Sequence, residues 1–236
     1  GDIQKSIDFL RKKGIAKASK KMDRNASEGL VSLSENNGEV SIIEVNSETD
    51  FVAKNKEFIS FCKEVSEINL VSKGDLEKIK NSKMKNNISV SENLINLISK
   101  IGEKLTIKRA TYFDNNNGKN FFYTHSAIDK NLGKIVSIVK IENNSDDQLG
   151  QKIAMHIAAS SPLAIDKEGI RKEIIDKEME IIKAELLNSG KKGEMVEKIS
   201  KGKINKFISD NTLLNQIWIM DPKKKVSDVL KENKNT

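Results

Sequence analysis

The tripeptide Asn36-Asn37-Gly38 restricts the fold of this chain more than any other short segment does. It lies between two β-rich runs, GLVSLSE before it and EVSIIEVN after it. Asn and Gly adopt positive φ at low cost, as a tight turn between antiparallel strands requires. We therefore predict a β-hairpin that runs from Glu28 to Asn46.

Three further β-rich runs lie between residues 104 and 141. They read KLTIKRATYF, FFYTHSAI and GKIVSIVKI. Turn-forming residues separate them, at 115–118 and again at 129–131. This order predicts a three-stranded antiparallel meander.

Apolar residues at helical spacing predict helices through most of the remaining sequence. Gly14 is expected to break or cap the first helix, and Gly102 to close another. A further helix is expected to hold the run Thr49–Asn55 in its first turn, with a short strand at 217–222 near the end of the chain. The other predicted helices cover 3–22, 75–84 (a short helix or a loop), 91–102, 146–160, 168–188, 194–209 and 226–231.

The segment 168–209 carries the pattern of a helical hairpin. Ile175, Met179, Ile182 and Leu186 follow alternate steps of four and three, as in a heptad repeat. The glycine-containing turn at 189–193 then reverses the chain. We predict two packed helices that project from the body as a coiled-coil arm.

The predicted elements place the chain in the α+β class, with two helix-plus-antiparallel-sheet subdomains and a projecting helical hairpin. Its composition, 37% hydrophobic and 32% charged with two prolines, is typical of a folded, helix-rich protein. We predict three parts: residues 1–25 as the last helix of an N-terminal domain and a linker, 26–112 as one subdomain, and 113–236 as a second that includes the arm.

The sequence favours a cytosolic protein. No run of about 18 apolar residues is present, and the first residues lack a secretory pattern. The only cysteine, Cys62, cannot form an intramolecular disulfide, and its place on an apolar helix stripe predicts a buried, inert thiol. We expect no membrane association.

Residues for enzyme chemistry are scarce, so we predict that the chain is not an enzyme and has no metal or other cofactor. His125 and His156 are the only histidines, and no phosphate-binding glycine motif or nucleophile motif occurs. The many carboxylates lie among lysines, where a solvated surface is the usual reason for them. A hydrolase that uses an Asp/Glu pair has no positive support.

The net charge of +7 leaves one competing class, a basic protein that binds RNA or the ribosome. The distribution of the charge argues against it. Lysines are spread over the chain beside Glu and Asp, and no basic run is interleaved with aromatic residues. We therefore expect no direct contact with nucleic acid.

The run from Thr49 to Asn55 has two interpretations from its residues alone. Thr49 or Asp50 could cap the start of a helix, with Phe51 in the core. Alternatively, the acid and the aromatic ring are presented together to another protein, and the ring fills a pocket there. His156 and Trp218 lie beside apolar residues, which favours core positions for both.

Several segments together resemble the elongation factor Ts family. NSETDFVAKN is similar to the signature of that family, and the opening GDIQKSIDFLRKKGIAKASKK, then IGEKLTIKRA, YTHSA and MHIAASSP occur in the family order. The resemblance covers nearly the whole sequence. The family usually begins with a small three-helix domain and ends with a further strand-bearing segment, so the sequence is expected to be trimmed at both ends.

The resemblance implies a guanine nucleotide exchange factor for elongation factor Tu, in its GDP-bound and nucleotide-free forms. Asp50 and Phe51 would insert near the magnesium site of that GTPase, and Val52 and Ala53 would complete the intruding turn that Thr49 begins. His156 would contact the partner, which reverses the preference for a core position. The arm would serve partner contact or self-association, and the protein would act in the bacterial cytoplasm or an organelle.

Overall fold

A computed structural model describes residues 2–142 and 146–233, which form two compact units divided between residues 143 and 144. The division lies inside the predicted second subdomain, and the predicted boundaries at 25/26 and 112/113 stay predictions.

Along the chain, the first unit consists of one helix, two strands, three helices and three further strands. A 3₁₀ turn at Asp50–Lys54 follows the second strand. The regular elements are α1 (Ile3–Ser19), β1 (Glu28–Asn36), β2 (Glu39–Ser47), α2 (Lys56–Ser72), α3 (Leu76–Asn81), α4 (Val90–Ile101), β3 (Leu105–Phe113), β4 (Lys119–Asp129) and β5 (Leu132–Ile141).

The predicted hairpin is confirmed. β1 and β2 pair antiparallel along their whole length, from Glu28 opposite Ser47 to Asn36 opposite Glu39. The turn residues Asn37 and Gly38 have φ of 50° and 82°. Positive φ at both central positions gives the twist that matches antiparallel strands, so the local sequence explains this turn.

The α+β class is confirmed, but the predicted meander is wrong. All five strands of the described chain lie in one antiparallel sheet, in the order β3-β2-β1-β5-β4. β3 pairs with β2 and not with β4, so one sheet replaces the two that were expected. β5 meets β1 at only two residue pairs, Val31 with Gly133 and Ser32 with Leu132.

The core of the first unit lies between α2 and one face of the sheet. Phe58, Cys62 and Val65 of α2 are buried against Ile43 and Val45 of β2. Their spacing places them on one face of the helix. The predicted helix and the predicted burial of Cys62 are therefore confirmed.

Gly14 lies inside α1, so the predicted break there is wrong. The residue is buried, and its carbonyl oxygen accepts a hydrogen bond of 3.1 Å from the Ser99 hydroxyl of α4. A Cβ atom at Gly14 would come within 3.2 Å of the hydroxyl oxygen of Ser99. The glycine therefore permits a close approach of two helices.

Gly102 has φ of 85° and caps α4, as predicted.

The second unit contains α5 (Asp147–Ser160), α6 (Lys172–Asn188), α7 (Glu194–Asn211) and α8 (Val226–Asn233). The predicted helical hairpin is confirmed, because α6 and α7 share a cluster of buried apolar residues that includes Ile182 and Leu186. Its projection as a coiled-coil arm stays a prediction. The strand predicted at 217–222 is wrong, since this part forms turns closed by a single bridge between Ile217 and Lys225.

Within the described ranges, every helix is too short or too polar to cross a lipid bilayer.

Candidate functional site

The run Thr49–Asn55 connects β2 to α2, and its central part, Asp50–Lys54, forms a separate 3₁₀ turn. Asn55 begins α2 as its N-cap, and its side-chain oxygen accepts hydrogen bonds from the amides of Glu57 (2.9 Å) and Phe58 (3.1 Å). The Asn55 amide itself donates to the carbonyl of Val52 at 2.9 Å. The prediction that the run lies in the first turn of the α-helix is therefore wrong, because Asn55 is extended and divides the two elements.

Thr49 is held by an acid that lies far away in sequence. Its amide donates to Oε2 of Glu103 at 2.9 Å, and its hydroxyl donates to Oε1 of the same carboxylate at 2.7 Å. The Ser47 hydroxyl donates to the Thr49 carbonyl at 2.8 Å. Neither Thr49 nor Asp50 caps the turn through its side chain. Hydrogen bonds to a carboxylate are among the stronger ones, so the entry to the turn is well fixed.

The turn divides its side chains between the core and the surface. Val52 and Ala53 are 3% and 2% exposed and pack in the core of the first unit. Phe51, which lies between them and Asp50, is 74% exposed. The core position that the pattern suggested for Phe51 is therefore wrong, and the alternative of a presented ring describes the structure.

Asp50 lies beside that ring with its charge unmatched. It is exposed, and within residues 2–142 and 146–233 its carboxylate has no hydrogen-bond or ion-pair partner. Its neighbour Glu48 differs, because the Lys104 amide and the Arg24 guanidinium hold the pKa of that carboxyl below its usual range. The structure thus separates one acid that is engaged within the chain from one that is free to meet another molecule.

The geometry of this turn suits binding. Burial raises the pKa of the Cys62 thiol, which removes the thiolate that nucleophilic attack needs. In the part of the chain that is described, His, Cys, Asp and Glu side chains do not gather in groups of three or more that could hold a metal ion. An exposed ring on a turn whose neighbours are buried is preorganised to fill a pocket.

Comparison with known proteins extends the match far beyond this turn. The sequence profile of the family described as elongation factor TS matches residues 48–236. The chain belongs to the elongation factor Ts family. The protein named elongation factor Ts from Xanthobacter autotrophicus is 40% identical over 98% of this chain and 76% of its own length. Those of Rickettsia prowazekii and Maricaulis maris are 38% and 37% identical over the same shares.

Membership of the elongation factor Ts family makes this chain a translation elongation factor, as the resemblance predicted. The matched segment begins at Glu48, immediately before the turn. The family comparison does not assign roles to single side chains. The functional roles predicted for Thr49, Asp50, Phe51, Val52 and Ala53 therefore rest on the geometry described above and on the resemblance.

His156, the other candidate from the family resemblance, is a core residue of the second unit. It is 0% exposed, and its ring stacks on that of Trp218 with 5.3 Å between the centroids. Nε2 lies 3.0 Å from Oε1 of Gln216, and the Ile219 amide donates to Nδ1 at 3.4 Å. Nδ1 therefore accepts, and Nε2 carries the proton and donates.

This environment favours the neutral ring. Burial lowers the pKa of His156, and the hydrogen bond to Gln216 opposes that effect only in part. The core positions that the residues themselves suggested for His156 and Trp218 describe the structure. In this conformation the His156 ring has no surface with which to touch another protein, so its predicted partner contact stays a prediction that requires rearrangement.

Sequence reasoning missed Glu103. The residue lies in the segment IGEKLTIKRA, which the family resemblance had drawn attention to, but no local pattern indicates that its carboxylate reaches Thr49, 54 positions earlier. The contact between Glu103 and Thr49 depends on the pairing of β3 with β2, whereas the predicted meander had paired β3 with β4. The missed strand order and the missed residue therefore have one cause.

Proposed function

We propose that this chain is a guanine nucleotide exchange factor in translation elongation. It binds elongation factor Tu in its GDP-bound form, disturbs the magnesium and phosphate site, and promotes release of GDP so that GTP can bind. The observation that carries the proposal is the segment 49–53. It presents an exposed ring and a carboxylate that has no partner among the described residues, next to the buried Val52 and Ala53. Family membership supplies the translation context.

Phe51 acts as a wedge in this proposal. Magnesium requires nearly ideal octahedral oxygen ligation, so small displacements of the elements around it weaken nucleotide binding. Burying one phenyl ring contributes about 1.5–3 kcal/mol, which corresponds to roughly ten- to a hundredfold in an equilibrium constant. The rest of the interface must supply the remaining binding energy.

Asp50 adds a hydrogen-bond acceptor next to the wedge. Because no described group of its own chain occupies the carboxylate, it can accept from partner donors without first breaking an internal bond. A carboxylate near the nucleotide phosphates also competes with them for positive groups. Asp50 and Phe51 would thus act together on the same region of the GTPase.

Exchange requires that the factor bind the opened, nucleotide-free GTPase better than the GDP-bound one. Coupling is reciprocal, so incoming GTP lowers the affinity for the factor and expels it. No bond is made or broken by the factor itself. Its effect is a change in the barrier to nucleotide release.

Release of a fluorescent GDP analogue from elongation factor Tu, with and without this chain, tests the proposal. We expect faster release that saturates as the chain is added at micromolar concentration. A folded sample that leaves the release rate unchanged would sink the exchange function. Excess unlabelled GDP prevents rebinding, and serum albumin at equal concentration controls for nonspecific protein effects.

The positive charge favours the second candidate function, RNA or ribosome binding without exchange. Four lysines of α1 have exposed side chains: Lys5, Lys12, Lys13 and Lys17. Binding of this kind weakens steeply as salt rises. A gel-shift titration of RNA across salt concentrations, combined with an absence of GDP release, would support this alternative.

A further inference from the structure

Two acids, Glu48 and Glu103, tie the entry of the turn to the start of β3 in a reciprocal way. Glu103 accepts both the amide and the hydroxyl of Thr49, at 2.9 and 2.7 Å. Glu48, which precedes Thr49, accepts the amide of Lys104 at 2.5 Å. Each carboxylate thus binds the residue that follows the other acid. We call these three hydrogen bonds the Glu48–Glu103 clamp.

The backbone places Glu103 where the clamp needs it. Gly102 caps α4 with φ of 85°, so the chain leaves the helix abruptly and brings Glu103 beside the turn. The Gly102 carbonyl in turn accepts a hydrogen bond from the Lys21 ammonium. Position 103 is therefore set by a helix end and an adjacent strand, both more rigid than a free loop.

The other side of the clamp is fixed as well. The Lys104 ammonium donates to the carbonyls of Met22 (2.5 Å) and Arg24 (2.8 Å), in the connection between α1 and β1. The Arg24 guanidinium lies 3.3 Å from Glu48. Three segments far apart in sequence thus converge on the entry of the turn.

Phe51 lies between two fixed points. The clamp fixes Thr49, two residues before Phe51. Burial in the core fixes Val52 and Ala53, the two residues after Phe51. The ring packs little against its own chain, because most of its surface is exposed. Its direction is therefore set by the backbone on either side.

We propose that Glu103 is a positioning residue for exchange: it aims Phe51 at the partner through Thr49, without any contact of its own with the partner. This inference rests on the proposed exchange function. Preorganisation of this kind raises the rate because the ring need not be ordered during binding. Loss of the clamp leaves the ring present but badly directed.

Glu103 could instead only stabilise the fold. The substitution Phe51→Ala distinguishes this role from the positioning role. If Glu103 acts through Phe51, then Glu103→Gln slows GDP release in the wild-type background but not in the Phe51→Ala background. If it only stabilises the fold, its effect is the same in both backgrounds.

The experiment measures the maximal rate of fluorescent GDP release from elongation factor Tu at saturating factor. The variants are Glu103→Gln, Thr49→Val, Phe51→Ala and the double variant Glu103→Gln with Phe51→Ala. In Glu103→Gln the side chain becomes neutral, so the hydrogen bonds that it can still form with the Thr49 amide and hydroxyl are weaker. In Thr49→Val a methyl group replaces the hydroxyl, which removes one hydrogen bond to the carboxylate. Each change weakens the clamp, for which we expect about a tenfold loss of rate.

Two matched variants serve as controls. Thr49→Ser keeps the hydroxyl and should retain the wild-type rate within about twofold. Glu67→Gln removes an exposed carboxylate of α2 that pairs with Lys85, away from the clamp, and should leave the rate unchanged. Hydrogen exchange of the amides at 49–53 should become faster in Glu103→Gln, whereas those of β2 and α2 should keep their protection.

The outcomes distinguish the two proposals. If the wild-type chain does not accelerate release, the exchange function fails, and the positioning role fails with it. If the wild-type chain accelerates release and Phe51→Ala is slower, but Glu103→Gln and Thr49→Val equal the wild type, only the positioning role is overturned. Additive losses in the double variant would overturn it too. Should Glu103→Gln fold poorly, the comparison of Thr49→Val with Thr49→Ser decides alone.

Discussion

The turn at 49–53 and the surroundings of His156 are two regions that one family resemblance marked as functional, and they are built in opposite ways. Phe51 is 74% exposed, and the acid beside it has no partner among the described residues. His156 is 0% exposed, is hydrogen-bonded at both ring nitrogens and is stacked on Trp218. The first region exposes an apolar ring and an acid next to two buried residues, which is the arrangement that a contact with another molecule would need. The second is organised for the internal packing of its own unit.

This difference shows that a residue can be part of a family motif for either of two physical reasons. A residue in a motif either touches the partner or holds the parts that do. Exposure and hydrogen bonding separate these reasons, and substitutions in the two regions should therefore change different quantities.

The largest expected effect is on stability, from His156→Ala. The substitution leaves a cavity against Trp218 and an unpaired oxygen on Gln216, so we expect the free energy of unfolding of the second unit to fall by about 2–4 kcal/mol. Urea unfolding followed by the fluorescence of Trp218, the only tryptophan, measures it. Lys152→Ala, an exposed position on the same helix, is the control. Unchanged stability with slower GDP release would reverse the assignment of His156.

The next effect is on exchange, from Phe51→Ala. Because the ring makes little contact with its own chain, we expect unchanged thermal unfolding and roughly ten- to a hundredfold slower GDP release. Val71→Ala, which removes an apolar side chain of α2 that is 84% exposed, should leave both properties unchanged. A lower melting temperature with normal release would mean that Phe51 is structural.

A smaller effect is expected from Asp50→Asn. The charge has no partner among the described residues, so stability should change by less than about 0.5 kcal/mol. GDP release should slow by about two- to tenfold, since one acceptor at the partner surface loses its charge. Asp23→Asn, another exposed acid of the first unit, controls for net charge. Equal rates for both variants would remove Asp50 from the site.

The smallest effect is the pH dependence that His156 gives to the second unit. Burial lowers the pKa of the folded ring below its ordinary value of 6.5. As the pH falls below about 6.5, the unfolded chain therefore binds a proton that the folded chain does not. The free energy of unfolding should decrease by up to about 1.4 kcal/mol for each unit by which the pKa is lowered, and the decrease should stop below the folded pKa.

Unfolding in urea at several pH values between about 7.5 and 5.5 measures this dependence, again through Trp218. His156→Gln cannot titrate, so its stability should vary less with pH in that window. The same slope in the variant and the wild type would show that another group is responsible.

The sequence by itself determined the elements that depend on neighbouring residues, together with the family. Asn37 and Gly38 specify their turn because few other residues tolerate positive φ, and Gly102 ends its helix for the same reason. The heptad spacing predicted the pairing of α6 with α7. Each of these features follows from interactions within a few residues or between elements joined by a short turn.

Only the tertiary structure decided which strands are neighbours and which side chains of the turn are exposed. β3 pairs with β2 and not with β4, and this strand order brings Glu103 to Thr49. Phe51 and Val52 are adjacent apolar residues, yet the 3₁₀ turn exposes one and buries the other. Such outcomes depend on packing free energies summed over distant segments, which no local pattern contains.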